Sequence, residues 1–372
     1  MMEFIDLKAQ QKTIRSSIDK RIKKVLNDGR YILGEEVSKL ENELSKFCGS
    51  KYTIGCSNGT DALMLSLMAL DIGPGDGVIT VPFTYIATLE SIAAVGAKPI
   101  LVDVYDSTFN MDPSKLEDVI KNSDCNIKAI MPVDLFGLPA RHRLINEIAS
   151  KYELKVIDDA AQAFGASKGN NKIGTFSNIT TTSFFPAKPL GCYGDGGAIF
   201  TDCELLNEKI RSLAVHGKGS DKYDNIRIGM NSRLDTLQAA ILLEKLSIFK
   251  KEIEKRNEIA NLYRSKLKNT TVKVQHIPEG YVSTYAQFSI ILKDKNQRDK
   301  IQKSLSNGGI PSVIYYAVSG HMQQGYKYLN YKRGDFPVSE KLSETILSIP
   351  MHPYLTEKQI TKITELIKIN LN

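Results

Sequence analysis

The stretch Thr181-Thr-Ser-Phe-Phe-Pro-Ala-Lys-Pro-Leu-Gly-Cys-Tyr-Gly-Asp-Gly-Gly197 decides how the rest of the chain is interpreted. A short β-type run over residues 181–185 stops at Pro186, and a single lysine, Lys188, follows. Pro189 cannot donate a ladder hydrogen bond, and the four glycines in the nine residues after the lysine permit backbone shapes that other residues resist. We therefore expect Lys188 on a tight, irregular loop.

The neighbours of this lysine predict a mostly buried setting, since Phe184, Phe185, Pro186 and Leu190 are apolar. Burial disfavours the ammonium form, so a buried lysine becomes a usable amine nucleophile. The alternative is a loop lysine with its charge in water, as for most lysines. This stretch alone does not decide between the two.

Length and composition limit the class of protein. A chain of 372 residues exceeds the usual size of one core, so two domains are expected. The net charge of +7 is modest, and mixed-sign stretches such as 249–256 indicate a solvated surface and no nucleic-acid footprint. The five cysteines show no metal-ligand spacing, which predicts free thiols in a reducing cytoplasm and no metal site. No signal peptide or membrane-spanning run is apparent, so a membrane association is not expected.

Strands and helices alternate through the first part of the chain. The predicted strands are 52–56, 77–81, 99–104, 127–133, 155–158 and 198–201, and the predicted helices are 11–28, one after Gly34, 61–70, 85–95, 114–121, 141–152 and 204–215. Continuous apolar strands separated by helices indicate a parallel sheet covered on both faces, an α/β fold.

The last third of the chain has a different pattern. An apolar helix at 235–249 and a polar one at 252–267 precede strands at 286–292 and near 312–316, and helices at 297–307, 338–347 and 356–371. We therefore predict a large domain over 1–250 and a small α+β domain over 251–372 that contributes to the substrate pocket.

Polar residues follow several of the predicted strands, where ligands bind in parallel sheets. Ser57-Asn58, residues 82–85, Asp134 and Asp158-Asp159 all lie at such carboxyl ends, so they should converge on one edge. The turn at 57–60 also opens a helix, whose free N–H groups are suited to phosphate. Plain N-capping by Ser57 or Asn58 explains that turn equally well.

Together these groups meet the needs of pyridoxal phosphate, which requires a lysine, a carboxylate against its ring nitrogen and phosphate donors. The candidates are the amine of Lys188, the carboxylate of Asp159, Gln162 about one turn further on, phosphate donors at Gly59, Thr60 and Ser183, and the ring of Tyr85. Taken singly, Asp159 is as well explained as a helix N-cap and Tyr85 as a core aromatic. Their combination favours the cofactor.

Over nearly its whole length the chain resembles the DegT/DnrJ/EryC1/StrS family of sugar aminotransferases. The matching segments are 55–62, 82–88, 157–163, 183–197 and 229–240. The resemblance implies the fold of type I pyridoxal-phosphate-dependent transferases, as in aspartate aminotransferase: a mainly parallel sheet in the large domain and a smaller α+β C-terminal domain.

The resemblance also implies a role for each candidate residue. Lys188 is the Schiff-base lysine, Asp159 pairs with the pyridine nitrogen, Gln162 lies beside the ring, Tyr85 stacks on it, Thr60, Ser183 and the amide of Gly59 hold the phosphate, and Asn231 reaches the phosphate of the neighbouring subunit's cofactor. The last role implies a homodimer with shared active sites.

The substrate is implied less directly. Lysine at 188, where dehydratase relatives carry histidine, favours transamination. The sequences of segments 188–197 and 231–241 resemble those of enzymes that aminate C3 of a UDP-linked 3-oxo-N-acetylglucosaminuronic acid with glutamate. Such enzymes make sugars for surface polysaccharides such as the lipopolysaccharide O-antigen. Arg233 can meet a carboxylate, of the uronate or of glutamate, because its planar fork matches that shape.

One departure from the family bears on the substrate. Residues 315–317 read Tyr-Tyr-Ala where relatives often carry His-Tyr-Pro, so Tyr315 and Tyr316 are candidates for the sugar pocket. His352 is a weaker candidate, and a structural role is slightly favoured for it and for His216. The alternatives are an aminotransferase for a C3- or C4-keto 6-deoxyhexose nucleotide, a pyridoxal-phosphate sugar dehydratase or other lyase, and a cofactor-free binding or regulatory protein.

Overall fold

The computed structural model describes residues 2–221 and 223–371. Its strands are β1 (Tyr52–Cys56), β2 (Asp76–Thr80), β3 (Lys98–Leu101), β4 (Asn126–Ile130), β5 (Lys155–Asp159), β6 (Ser167–Lys168), β7 (Asn171–Lys172), β8 (Ile179–Ser183), β9 (Gly197–Thr201), β10 (Lys273–Val274), β11 (Tyr281–Val282), β12 (Phe288–Ile291) and β13 (Ile346–Ile349). Its helices are α1 (Leu7–Asp28), α2 (Glu35–Cys48), α3 (Gly59–Ala69), α4 (Ala87–Ala94), α5 (Leu116–Asn122), α6 (His142–Lys151), α7 (Glu204–Leu213), α8 (Thr236–Leu267), α9 (Lys295–Asn307), α10 (Pro337–Thr345) and α11 (Glu357–Ile369).

A seven-stranded sheet in the order β1-β9-β8-β5-β4-β2-β3 forms the centre. Strands β3, β2, β4, β5 and β8 pair in parallel, while β9 is antiparallel to both β8 and β1. The expected mainly parallel α/β fold is confirmed.

Both faces of this sheet are covered, which explains its continuous apolar strands. Val78 packs with Leu63 of α3, whereas the next residue, Ile79, packs with Ile145 of α6 on the other face. Successive strand residues point to opposite faces. A strand that is buried on both faces therefore lacks the alternation of apolar and polar residues seen in a half-exposed strand.

Helix α8 differs from its sequence prediction. The expected helices 235–249 and 252–267 form one continuous helix of 32 residues. The polar residues at its middle are buried and paired: Glu252 accepts from Gln10 at 2.8 Å, and Arg256 donates to the carbonyl oxygens of Tyr285 and Met351. The expected boundary near residue 250 falls inside this helix, and the division into domains 1–250 and 251–372 stays a proposal.

The C-terminal region is built on a second, three-stranded sheet in the order β10-β12-β13. The helix expected at 338–347 ends at Thr345, and Ile346–Ile349 is strand β13, antiparallel to β12. The strand expected near 312–316 is reduced to one bridge between Val313 and Ser348. In both places the strand partner, which lies far away in the sequence, decides whether the residues form a helix, a strand or a single bridge.

All five cysteines are free thiols, as expected. Within the described part of the chain, every helix is too short or too polar to cross a membrane.

Candidate active site

The loop that carries Lys188 joins β8 to β9 and is folded tightly on itself. The amide of Phe184 donates to the carbonyl of Gly196 at 2.7 Å, which closes the base of the loop. At Gly191 a Cβ would lie 2.5 Å from the carbonyl oxygen of Pro186, so only glycine fits there. The predicted irregular loop is confirmed, and it presents Lys188 at the end of the sheet.

The Lys188 side chain is partly buried, a little less than the sequence suggested. Burial lowers the pKa of its ammonium to about 8, although the nearby Asp159 charge opposes this shift. The fraction of free amine near neutral pH is therefore far larger than for an exposed lysine, which suits a nucleophile.

Asp159 ends β5 and is 5% exposed. Its Oδ2 accepts from the hydroxyl of Thr88 at 2.7 Å, and the Thr88 and Thr84 hydroxyls are 2.8 Å apart. Because Thr88 gives its only hydroxyl proton to Asp159, Thr84 is the donor in the second bond. Burial raises the pKa of Asp159, whereas the Thr88 bond and the Lys188 charge lower it. Sequence reasoning missed both threonines, although hydroxyls spaced i, i+4 within the 82–88 segment were a usable signal.

Gln162 and two tyrosines form the next part of the site. Gln162 Oε1 accepts from the amide of Phe136 at 2.6 Å, and its Nε2 donates to the Tyr316 hydroxyl at 2.9 Å. The Tyr316 ring lies 6.3 Å from that of Tyr85 and 5.6 Å from that of Tyr315. Tyr85 is 58% exposed, so it is not a core aromatic and is free to stack on a ligand.

The start of α3 forms a cradle beside this cluster. Asn58 caps the helix by accepting from the amide of Asp61 at 2.8 Å, so the capping interpretation is correct. The amides of Gly59 and Thr60 nevertheless donate to none of the described residues. A Cβ on Gly59 would lie 2.8 Å from Ser183 Cβ, so glycine lets β8 approach the helix start. The free amides of Gly59 and Thr60 thus lie at a helix start, beside the side chain of Ser183, where a phosphate would bind.

These observations test whether the residues fit pyridoxal phosphate. The amine of Lys188 and the carboxylate of Asp159 are close enough to shift each other's pKa, and both lie at the sheet edge that carries the cradle. A free amine, a buried acceptor and unused helix N–H groups are what that cofactor requires. The residues present fit it.

Asn231 and Arg233 flank Ser232, which contacts the turn that opens the cradle. Arg233 Nη2 donates to Asn231 Oδ1 at 2.5 Å, while Arg233 Nε is buried and has no partner among the described residues. Between them, Ser232 accepts from the hydroxyl of Ser57 at 3.0 Å. This segment is therefore anchored to the turn before α3, and Asn231 itself is exposed.

His352 is buried with neither ring nitrogen bonded to a described residue. Burial and the Arg256 charge lower its pKa to about 4. The preceding amide, of Met351, donates to the carbonyl of Phe4, and the His352 ring lies 6.5 Å from that of Tyr354. These contacts connect it to the N-terminal segment, which favours the structural role; a substrate role stays a prediction.

Comparison with known proteins agrees with this geometry. The profile of the DegT/DnrJ/EryC1/StrS aminotransferase family matches residues 12–368. The UDP-2-acetamido-2-deoxy-3-oxo-D-glucuronate aminotransferase of Pseudomonas aeruginosa is 47% identical over 360 residues, 97% of this chain and 98% of the relative. The UDP-N-acetyl-3-dehydro-alpha-D-glucosamine 3-aminotransferase of Acidithiobacillus ferrooxidans is 40% identical over 99% of this chain and 98% of the relative. The solved structure of NtdA from Bacillus subtilis, with the cofactor PMP bound, superposes with a TM-score of 0.88 at 31% identity and covers 98% of this chain and 83% of that one.

Proposed function

The chain belongs to the DegT/DnrJ/EryC1/StrS aminotransferase family, and we propose that it transfers the amino group of glutamate to C3 of a UDP-linked 3-oxo-N-acetylglucosaminuronic acid. The protein is a pyridoxal-phosphate-dependent sugar-nucleotide aminotransferase with the type I fold. The observation that supports the uronate is the 47% identity to a Pseudomonas aeruginosa enzyme named for that substrate.

Pyridoxal phosphate, when bound, supplies a carbonyl carbon that takes up the donor's amino group and a ring that accepts electrons as the donor loses its Cα proton. The chain's own residues prepare the site for this. Asp159, held by Thr88, would supply a negative charge to the ring nitrogen of the bound cofactor and keep that nitrogen protonated. Lys188 Nζ can take up and release a proton near neutral pH, since burial lowers its pKa to about 8.

Arg233 is the residue that we assign to a carboxylate. Its buried, unpartnered Nε supports this, because a guanidinium edge without an acceptor is costly unless a ligand supplies one. The carboxylate is that of the uronate or that of glutamate. A neutral sugar, as in the name of the Acidithiobacillus ferrooxidans relative, would leave only the second choice.

A substrate panel tests the proposal. Purified protein loaded with cofactor is incubated with ¹⁵N-glutamate and UDP-3-oxo-N-acetylglucosaminuronic acid, its neutral 3-oxo counterpart, or dTDP-linked 3- and 4-keto-6-deoxyhexoses. We expect ¹⁵N in the uronate product, matched by equimolar 2-oxoglutarate, and slower reaction with the others. Faster amination of a 6-deoxyhexose would contradict the uronate, and sugar dehydration without glutamate consumption would indicate the lyase. Absence of cofactor absorbance would support the cofactor-free alternative.

We further propose a homodimer with shared active sites. Ile226 and Ile228, on the loop that leads to Asn231, are 56% and 92% exposed. Residues 31–33 are also exposed and apolar, and the carbonyl of Tyr31 accepts from the amide of Thr236, so residues 31–33 lie at the start of α8, the helix that follows the Asn231 loop in the chain. Exposed apolar side chains grouped in this way mark an interface. A second copy covering them would bring Asn231 towards the partner's cofactor phosphate.

Complementation tests the shared site. Lys188→Ala and Asn231→Asp are each expected to be inactive or weak, the second because it sets a carboxylate against phosphate. In mixed dimers one site carries both defects and the other neither, so random reassortment should restore roughly a quarter of wild-type activity. If subunit exchange is shown by mass spectrometry and no activity returns, Asn231 acts within its own chain.

The cell compartment and pathway follow from the same substrate. A nucleotide-sugar substrate and five free thiols support a cytoplasmic enzyme of surface-polysaccharide biosynthesis, such as that of the O-antigen. Loss of the 3-amino sugar from the polysaccharide in a deletion strain would test this; an unchanged polysaccharide would contradict it.

A further inference from the structure

A buried charged cluster lies directly behind the proposed cofactor site. Asp134, His142 and Asp158 are each at most 4% exposed, and one ligand atom from each lies within 4.8 Å of the others. Asp158 precedes Asp159 on β5, so the two carboxylates point to opposite faces of the sheet. The proposed reaction uses none of the three.

The hydrogen bonds of this cluster are incomplete. Asp134 Oδ1 accepts from the amide of Ala140 at 2.6 Å and from His142 Nε2 at 2.9 Å. His142 Nε2 is 3.7 Å from Asp158 Oδ2. Asp134 Oδ2 and both oxygens of Asp158 have no partner among the described residues. Leaving three buried carboxylate oxygens unpaired would be costly, so something must supply a positive charge or a proton.

One shared proton accounts for this arrangement. Burial and the Asp134 charge raise the pKa of Asp158 well above its usual value, so Asp158 can donate an O–H to Asp134. Burial lowers the pKa of His142, but the charges of Asp134 and Asp158 outweigh this and raise it to about 9. The cluster then contains one imidazolium, one carboxylate and one carboxylic acid, and is neutral. A cation could bind the same three residues, but the 2.9 Å between Nε2 and Oδ1 is that of a direct hydrogen bond.

The cluster holds a turn that reaches the active site. The bonds from Ala140 and His142 to Asp134 close the turn that contains Phe136, whose φ is 60°. The amide of Phe136 donates to Gln162 Oε1 at 2.6 Å. Any loosening of the cluster therefore moves the donor that fixes the orientation of the Gln162 amide.

We propose that His142, with Asp134 and Asp158 sharing one proton, is a positioning residue that holds the Phe136 amide and thereby keeps Gln162 in place beside the cofactor ring. This inference rests on the proposed role of Gln162.

The protonation state can be measured on the wild-type protein. The chain has five histidines, so ¹⁵N-histidine NMR signals are few, and that of His142 is the one lost in His142→Gln. We expect both ring nitrogens to be protonated at pH 7.5 and the ring to titrate near 9, in the field of Asp134, Asp158 and Lys168 and with the Ser177 hydroxyl 3.5 Å from Nδ1. A neutral ring at pH 7.5 would overturn the shared-proton arrangement. Stoichiometric metal in the purified protein, lost in the variant, would also overturn it.

The positioning role is tested by titrating cofactor-free protein with pyridoxal phosphate. His142→Gln keeps an N–H donor but removes the charge, and we expect roughly tenfold weaker cofactor binding. Asp103→Asn is the matched control: it removes the charge of another buried carboxylate, 2% exposed, whose hydrogen bonds come from Val338 and Ser339. This control should lower Tm and leave the cofactor Kd unchanged.

Gln162→Ala separates the role of Gln162 in cofactor binding from the positioning role of His142. We expect it to weaken cofactor binding as His142→Gln does, and the double variant to be no weaker than either single one. An unchanged Kd in His142→Gln, alongside a weakened Kd in Gln162→Ala, would overturn the positioning role. An unchanged Kd in Gln162→Ala would instead remove the role of Gln162 on which the inference rests, while leaving the aminotransferase assignment to the substrate panel.

Discussion

Replacing Asp159 by asparagine removes one charge from the site and replaces Oδ1, which accepts from the amide of Ala161 at 3.3 Å, by an NH₂ group. The side chain is buried, its Oδ2 accepts from Thr88 at 2.7 Å, and asparagine can keep that bond through its carbonyl oxygen. What is lost is the negative charge against the protonated ring nitrogen. Breaking a buried charge pair by removing one partner costs about 3–5 kcal/mol, and each 1.36 kcal/mol is tenfold in rate. We therefore expect turnover to fall by roughly two to four orders of magnitude.

The donor half-reaction is the sharpest assay for this variant, since it needs only glutamate and the loaded enzyme. A single turnover followed by cofactor absorbance should slow by the same factor. Asp103→Asn is the control: Asp103 is equally buried, and it accepts from Val338 and Ser339 away from the site. That variant should lose stability but keep its rate per folded molecule. A near-normal rate for Asp159→Asn would refute the electron-accepting role of the site.

Three further predictions follow from single contacts. Because burial lowers the pKa of Lys188 from 10.5 to about 8, attachment of the cofactor to the apo-protein should speed up as pH rises through about 8, and a rise centred near 10.5 would contradict a depressed pKa. Asp159→Asn should move the midpoint of this pH dependence lower, since the Asp159 charge raises the pKa of Lys188. Gly59→Ala places a Cβ 2.8 Å from Ser183 Cβ, so pyridoxal phosphate should bind about 1–3 kcal/mol more weakly while pyridoxal, which has no phosphate, is unaffected; equal losses would argue against the cradle. Arg233→Lys should slow uronate substrates more than neutral ones, and equal slowing would indicate glutamate recognition or a structural role.

The sequence predicted the central sheet well because its signal is local. Strand β1 was expected at 52–56 and has those bounds, and β2, β4 and β5 were recognised from their apolar runs, with bounds that differ by one to three residues. The Lys188 loop was predicted for the same reason, since glycine and proline dictate backbone shape without help from distant residues.

What the sequence could not predict depends on partners far away in the chain. The polar middle of helix α8 is buried because Glu252 meets Gln10, a residue 242 positions earlier. Strand β13 exists because β12 pairs with it. The threonine chain behind Asp159 and the cluster around His142 likewise bring together residues from separate strand ends and helices. The local sequence pattern places such residues near one edge of the central sheet, but it does not predict which of them contact each other.

Borohydride reduction identifies the lysine that carries the cofactor, which we assign as Lys188. Reduction of the loaded wild-type protein should fix the cofactor covalently to one lysine, identified by peptide mass spectrometry. We predict the modification on Lys188, and its absence in a Lys188→Ala protein that still binds the cofactor without a covalent link. Modification of a different lysine in the wild-type protein would show that Lys188 is not the cofactor lysine.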